Sequence, residues 1–267
     1  MNPPRFYSPL PLAAGARVEL PEGVVRHATR VLRLGTGDAL TLFDGKGGEY
    51  ACRIDFCKRG AAVAEVLSWR DVERESPLGL TLVQGLQSGE KMDLTMQKAV
   101  ELGIGRIAPV LTRRSVVRLE GERAKKRVAH WRAVVTSACE QCGRNRVPEV
   151  ADLENLRDWL GRPPAAPTGA KPMRLMLAPD APVALDAFRQ PEAASAVELL
   201  IGAEGGLTPE ETELALLAGF VAVRLGPRVL RTETAGLAAL AAIQCLWGDF
   251  AGNSAKTDDE SYARVKI

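Results

Sequence analysis

Long apolar runs, an excess of charge of either sign and a cysteine framework are all missing from this sequence of 267 residues. No apolar stretch is long enough to span a bilayer, and residues 1–10 lack the apolar core of a secretion signal. The five cysteines are odd in number and irregularly spaced, which indicates reduced thiols. We therefore expect a cytoplasmic protein with no membrane partner. Because the net charge is only +2, any basic surface must come from local clustering.

Catalytic sets built on histidine or cysteine are also missing. The two histidines, His27 and His130, are far apart in the sequence, and no Ser-His-Asp or Cys-His set accompanies them. Cys139 and Cys142 have metal-ligand spacing, but they fall inside a helical pattern with no second pair nearby. We therefore expect neither a nucleophile-driven hydrolase nor a bound metal.

The N-terminal segment of the sequence is rich in β-strand patterns. Alternating or β-rich patterns predict strands at residues 16–20, 39–43, 49–56 and 61–69. A helix is predicted over residues 24–34, with His27, Arg30 and Arg33 on adjoining faces. Together these features predict a small β-barrel with one helix, followed by a charged linker at residues 70–77.

From residue 78 onward, apolar strands alternate with helices, which predicts an α/β domain with a mostly parallel sheet. The predicted strands are 80–86, 104–111, 173–178, 197–201 and 221–225, and the predicted helices are 88–102, 122–142, 153–160, 209–218 and 232–250. The last helix is apolar on almost all sides, which indicates that part of it meets a second subunit. Residues 251–267 are expected to form a flexible tail.

Two glycine-punctuated loops follow the last two predicted strands. They read Ile201-Gly-Ala-Glu-Gly-Gly206 and Leu225-Gly-Pro-Arg-Val-Leu-Arg-Thr-Glu-Thr-Ala235. The first has neither the Lys-Ser/Thr of a P-loop nor the spacing of a dinucleotide fingerprint. Thr232 or Thr234 can serve as the N-cap of the final helix, but that leaves the arginines of the second loop unexplained. If the two strands are neighbours, the loops form a ligand crevice at the carboxyl edge of the sheet.

A basic cluster lies between these loops and the first domain. Of the twenty residues from Arg113 to Arg132, eight are Lys or Arg and two are acidic. Arg144 and Arg146 follow, and Arg26, Arg30 and Arg33 can extend the cluster from the first domain. Such a run is either a solvated helix face or a surface that contacts nucleic-acid phosphates.

The two loops resemble the signature loops of the bacterial 16S rRNA uracil-N3 methyltransferases, the RsmE family of the SPOUT superfamily. Further matching motifs are Arg5-Phe6-Tyr7, His27 with Val31-Leu32-Arg33, Lys91-Met-Asp93, Gln97-Lys98-Ala-Val-Glu-Leu-Gly103, Arg114-Ser-Val116 and Glu140-Gln-Cys-Gly-Arg144. The resemblance runs from Arg5 to about Phe250. Two departures are Ala203, where the family usually has proline, and Arg113, where an acidic residue is common.

The resemblance implies a fold, a cofactor and partners. It implies a PUA-like β-barrel at residues 1–72 that helps to bind RNA, and a SPOUT domain at residues 77–250. That domain is α/β and Rossmann-like, with a mostly parallel sheet and a C-terminal trefoil knot. It also implies S-adenosylmethionine as cofactor, a homodimer, and 16S rRNA in the small ribosomal subunit as substrate.

The same resemblance assigns roles to individual residues. Arg231 is the candidate that stabilises negative charge on the uracil, and Glu204 or Glu233 is the candidate base or a brace. The cofactor is expected to contact Leu177, Ala178, Ile201, Gly202, Ala203, Glu204, Gly205, Gly206, Leu225, Gly226, Arg228, Leu230, Thr232, Thr234 and Ala235. RNA contacts are expected from Arg5, Arg30, Arg33, Lys98, Arg114 and Arg144.

Two other functions fit the same loops. One is an RNA-binding or ribosome-assembly factor that keeps the fold without catalysis. Such a factor would not bind S-adenosylmethionine. The other is a SPOUT methyltransferase that acts on another RNA or another base.

Overall fold

The computed structural model describes residues 3–58, 60–163, 171–188 and 196–251. Two sheets follow each other along the chain, one within residues 5–70 and one within residues 79–223. The predicted flexible tail lies outside the described residues, except for its first residue. Among the helices of the described ranges, none combines the length and apolar character that crossing a membrane requires.

The N-terminal sheet has five strands in the order β1-β3-β4-β5-β2. β1 pairs parallel with β3, and the other pairs are antiparallel. Register shifts between β4 and β5 are irregularities of the kind that bend long strands. The strands are β1 (Arg5–Tyr7), β2 (Arg17–Glu19), β3 (Ala39–Phe43), β4 (Glu49–Lys58) and β5 (Ala61–Arg70).

The helical insert of this sheet begins and ends earlier than predicted, and only its first half is α-helical. Helix α1 covers Glu22–Arg26, and the following turn, His27–Val31, is π-helical. Arg33 then has a φ of 57°, in the left-handed region where a helix cannot continue. Arg30 and Arg33 are both exposed. They do not share one α-helical face, because the wider turn and the left-handed residue change the spacing on which that prediction depended.

The second sheet is parallel throughout its described pairs, in the order β12-β10-β11-β6-β7-β8, with β9 also paired to β7. Its strands are β6 (Gly79–Gly85), β7 (Arg106–Leu111), β8 (Glu149–Val150), β9 (Glu154–Asn155), β10 (Met173–Leu177), β11 (Ala196–Ile201) and β12 (Val221–Val223). All six residues of β11 are buried, as expected for a central strand covered on both faces.

Helices cover both faces of this sheet. They are α2 (Glu90–Glu101), α3 (Gly121–Cys142), α4 (Leu156–Leu160), α5 (Pro209–Leu217) and α6 (Thr232–Trp247). Leu199 packs in the same cluster as Trp131 of α3 and Leu240 of α6, whereas Leu200 packs with residues of α4 and α5 such as Trp159. Successive side chains of β11 point to opposite faces of the sheet, so this one strand contributes to two hydrophobic cores.

Residues 70–77, predicted as a linker, connect the two sheets and also bind the residues that follow α3. The Glu75 carboxylate accepts hydrogen bonds from Arg144 Nε and Nη2. Arg144 Nη1 also donates to the carbonyls of Val100 and Ile104, at 2.9 and 2.8 Å. Arg144 is only 4% exposed, so it is not available to RNA, and its predicted RNA contact is wrong for this structure.

Arg5 is likewise used inside the protein rather than at an RNA surface. It pairs with the buried Glu49 of β4, and its Nη2 donates to Asn145 Oδ1 at 2.6 Å. Asn145 Nδ2 in turn donates to the carbonyl of Val72 at 2.7 Å. Arg5 therefore joins the N-terminal sheet to the residues that follow α3, a role within the protein that its prediction as an RNA contact did not include.

Removing the Arg144 side chain is expected to destabilise the protein strongly. In Arg144→Met, Glu75 keeps its charge but loses its partner, which costs about 3 kcal/mol for a largely buried pair. The matched control is Arg146→Met, because the Arg146 pair with Glu73 is exposed and is worth less than about 1 kcal/mol. Urea unfolding of the two variants measures the difference. Equal losses would contradict a structural role for the buried pair.

Candidate functional site

Three strand ends enclose one cavity at the carboxyl edge of the parallel sheet. The cavity has a volume of about 440 Å³ and lies between the segments that follow β10, β11 and β12. The predicted crevice depended on β11 and β12 being neighbours, but β10 lies between them. The end of β10 consequently forms the centre of the cavity wall, and the two glycine-punctuated loops form its sides.

All but one of the predicted cofactor residues line this cavity. Those that line it are Leu177, Ala178, Ile201, Gly202, Ala203, Glu204, Gly205, Gly206, Leu225, Gly226, Arg228, Leu230, Thr232 and Ala235. Thr234 does not line it and is exposed on α6. The cavity also includes four residues that were not predicted, of which Val229 lies inside the second loop and the others lie close to predicted residues: Pro179, Val223, Arg224 and Val229.

The first loop folds back closely on itself. Gly206 N donates to the carbonyl of Ala203 at 2.8 Å. A Cβ atom on Gly202 would lie 2.9 Å from the carbonyl carbon of Gly206, closer than real contacts allow. A side chain at Gly202 would therefore force the loop open, and this is the physical reason for glycine there.

Thr232 joins the two loops. Its hydroxyl donates to the carbonyl of Gly202 at 2.6 Å and accepts from Gln84 Nε2 at 3.2 Å. Gln84 is fully buried near the end of β6. The N-cap position of α6 is Arg231, and no side chain caps that helix. The prediction that Thr232 or Thr234 caps α6 is therefore wrong, because Thr232 uses its hydroxyl to hold the first loop.

Glu204 is held as a charged brace at the side of the cavity. Its Oε1 accepts from both the backbone N and the hydroxyl of Ser88, each at 2.9 Å, and lies 3.9 Å from Lys91 Nζ. Burial raises the pKa of Glu204, but the Ser88 hydrogen bonds and the Lys91 charge outweigh burial and leave the pKa below its usual value. A carboxylate with a lowered pKa is a weak base.

Glu233 lies on the other side of the same lysine. Its Oε1 is 3.5 Å from Lys91 Nζ, and Glu233 does not line the cavity. Lys91 thus lies between the two carboxylates that were candidates for the base. Through Lys91 both carboxylates hold the segments around the start of α2, and of the two only Glu204 also lines the cavity.

Arg231 and Arg228 are the free cations of the second loop. Both are exposed and line the cavity, and neither has a carboxylate partner within the described ranges. The backbone of Arg231 is fixed, because its carbonyl accepts from Ala235 N at 2.7 Å. The cavity therefore has an unpaired guanidinium on a rigid segment at its rim.

The backbone at the cavity also has unused donors. The N–H groups of Gly226 and Leu230 have no hydrogen-bond partner in the part of the chain that the structure describes. Around them, Leu177, Ile201 and Leu225 supply apolar wall. Apolar walls with a few backbone donors suit a ligand that has a flat ring system and polar acceptors.

The remaining predicted RNA residues have different surroundings. Arg114 Nη1 donates to the carbonyls of Gly205 and Leu207, at 2.9 and 3.1 Å, so it supports the first loop. Lys98 pairs with Glu101 one helical turn away. Arg30 and Arg33 are exposed and have no ion-pair partner among the described residues, which leaves them available to phosphate groups.

Comparison with known proteins identifies the family. A family model described as an RNA methyltransferase domain matches residues 74–244, and a model described as an RNA methyltransferase PUA domain matches residues 20–66. Ribosomal RNA small subunit methyltransferase E of Bacillus subtilis is 33% identical over 82% of this chain and 86% of its own length. The chain belongs to the ribosomal RNA small subunit methyltransferase E family.

Solved structures of the family agree with the fold. The family member from Neisseria gonorrhoeae, crystallised with S-adenosyl methionine, is 45% identical with a TM-score of 0.86, over 93% of this chain and 100% of that one. A putative methyltransferase from Legionella pneumophila, also with the bound cofactor, is 36% identical with a TM-score of 0.86 and the same coverage. The predicted resemblance is confirmed, as is the α/β SPOUT domain preceded by a PUA-like domain.

Proposed function

We propose that this family member transfers a methyl group from S-adenosylmethionine to N3 of a uridine in 16S rRNA, on the assembled small ribosomal subunit in the cytoplasm. The observation that carries the proposal is the cavity at the three strand ends, which the two glycine-punctuated loops enclose. Relatives that are 45% and 36% identical over 93% of this chain were crystallised with that cofactor.

The cavity fits the cofactor in size and chemistry. In this proposal the backbones of Leu177, Gly202, Gly205, Leu225 and Leu230 hold its adenosine and methionine parts, and the unused N–H of Leu230 donates to one of its acceptors. Bound there, S-adenosylmethionine would supply an electrophilic methyl group, because its sulfonium is positively charged. The protein then has to position the uracil and to favour loss of its N3 proton to water.

Arg231 has the charge that this reaction requires. N3 of uridine is a weakly acidic imide nitrogen, and loss of its proton places negative charge on the flanking carbonyl oxygens. A guanidinium without an internal partner stabilises that charge as it develops. Glu204 and Glu233 hold the surrounding segments through Ser88 and Lys91, so we assign them bracing roles.

The substrate and the assembly complete the proposal. The PUA-like domain binds RNA through surfaces that include the unpaired Arg30 and Arg33. Two copies of the chain form a homodimer through α6 and the turn after it, where Leu246 and Phe250 are 41% and 51% exposed. The segment that leads into α6 forms the trefoil knot that the family resemblance implies.

Methyl transfer to purified small subunits tests the proposal. We expect incorporation of labelled methyl from S-adenosylmethionine into 16S rRNA, and a mass spectrum of the digested nucleosides that contains N3-methyluridine. Subunits from a strain that lacks the gene are the substrate, since their site is unmodified. Calorimetry with S-adenosylmethionine is the parallel measurement. Absence of binding would favour an assembly factor without catalysis, and a different methylated nucleoside would favour another target base.

A further inference from the structure

A second groove lies beside the cofactor cavity, between the N-terminal end of α2, residues 117–119 and α3. Its volume is about 510 Å³. Arg123, Lys126, Arg127 and His130 line it from α3, and no acidic side chain lines it. We refer to it as the α2–α3 groove.

In the part of the chain that the structure describes, two cations of this groove lack the acidic partners that the other basic side chains of the same helix have. Within the described ranges, Arg123 and Lys126 have no acidic partner. By contrast, Lys125 pairs with Glu122, and Arg132 pairs with Asp152. The unpaired charges of α3 are thus concentrated where the helix faces the groove.

Arg127 and His130 are held in place around the groove by α2. Arg127 Nη2 donates to the carbonyl of Gly89 at 3.0 Å. His130 Nε2 lies 2.7 Å from Asp93 Oδ2, and Arg127 lies 3.9 Å from the other oxygen of that carboxylate. Asp93 therefore balances the charge of Arg127, and the groove stays positive through Arg123 and Lys126.

The wall of the groove contains an unused hydrogen-bond donor. Trp131 lines the groove, is fully buried, and its Nε1 has no partner among the described residues. A buried indole N–H without an acceptor costs about 1–3 kcal/mol, so proteins usually satisfy it. The unpaired cations beside this wall call for a ligand that carries negative charge and acceptor oxygens.

The groove and the cofactor cavity share a wall. Gln87 and Gly89 line the groove. Ser88, between them, donates twice to Glu204, which lines the cofactor cavity. The amide of Gln87 also lies 3.3 Å from the Thr232 hydroxyl, which holds the first loop. An RNA strand whose target base enters the cavity would therefore continue past this wall into the groove.

We propose that the α2–α3 groove binds the phosphodiester backbone of the RNA strand beside the target nucleotide, a role that rests on the proposed function. Arg123 and Lys126 supply charge to the phosphates, and the buried Trp131 lies in the wall beneath them. This assigns RNA contact to residues other than Arg5, Lys98, Arg114 and Arg144, which are used within the protein.

Charge removal in the groove tests this role. We expect the Arg123→Gln/Lys126→Gln variant to bind small subunits at least tenfold more weakly. The slope of log affinity against log salt should fall by about 1.4–1.8, for two lost phosphate contacts. The matched control is Lys125→Gln/Arg132→Gln, which removes the same charge from paired positions on α3. Equal losses in both variants would overturn the groove as a specific site.

Two further measurements separate this inference from the proposed function. Affinity for S-adenosylmethionine should be unchanged in the groove variant, since neither residue lines the cofactor cavity. The indole N–H resonance of Trp131, assigned with Trp131→Phe, should shift when a uridine-containing RNA pentanucleotide is added. An unmoved resonance together with wild-type affinity would overturn the groove role but leave the proposed function standing. Failure of the wild-type protein to methylate small subunits would instead overturn the proposed function.

Discussion

Replacing Arg231 by alanine is expected to lower methyl transfer about a hundredfold or more, while affinity for S-adenosylmethionine stays within about threefold. Removing one donor that stabilises developing negative charge typically costs about 10²–10³ in rate, or roughly 2.7–4 kcal/mol. Arg231 suits that role, because it lies at the rim of the cavity without a carboxylate partner among the described residues. Its backbone is fixed by the first turn of α6.

A charge-preserving variant distinguishes catalysis from folding. Arg231→Lys keeps the positive charge but loses the planar pair of donors, so it should recover only part of the lost rate. Single-turnover transfer to small subunits measures the chemical step apart from product release. If Arg231→Ala retained activity within about tenfold of wild type, less than ~1.4 kcal/mol of the barrier would depend on it, and the assignment would fail.

The sheet of the second domain was predictable because its strands leave a clear pattern. β6, β7, β10 and β11 are short apolar runs bounded by glycine or charge, and each predicted position matches within two residues. β8 and β9 were missed, since a strand of two residues leaves no period to detect. The order of the strands could not be predicted either, because packing between distant segments decides which strands pair. For that reason the sequence did not reveal that β10 separates the two loops.

The roles of the arginines show a second limit of sequence analysis. Arg144 and Arg123 are equally basic in the sequence, yet one is buried against Glu75 and the other is exposed without a partner. Glu75 lies 69 residues before Arg144, so no local pattern reveals the pair. Thr232 is similar, because a threonine at the start of a helix predicts a cap, whereas its hydroxyl holds a carbonyl 30 residues away.

The second large effect is expected at Gly85, the last residue of β6. A Cβ atom there would lie 2.4 Å from the backbone nitrogen of Ala203 and 2.7 Å from the carbonyl carbon of Gly202. Backbone atoms cannot move aside as a flexible side chain does, so Gly85→Ala must displace the first loop. We expect affinity for S-adenosylmethionine to fall at least thirtyfold, which is about 2 kcal/mol. Overpacking of this kind should also cost about 1–3 kcal/mol of stability.

Gly79, at the other end of the same strand, is the matched control. A Cβ atom at Gly79 would lie 3.6 Å from the nearest atoms of Ala196, an ordinary contact. Gly79→Ala should therefore keep its cofactor affinity and its melting temperature close to wild type. Calorimetry with S-adenosylmethionine and thermal unfolding, with and without the cofactor, compare the two variants. Because the first loop reaches the cavity through its backbone, a Gly85→Ala protein that folds and binds the cofactor like wild type would mean that this loop does not hold it.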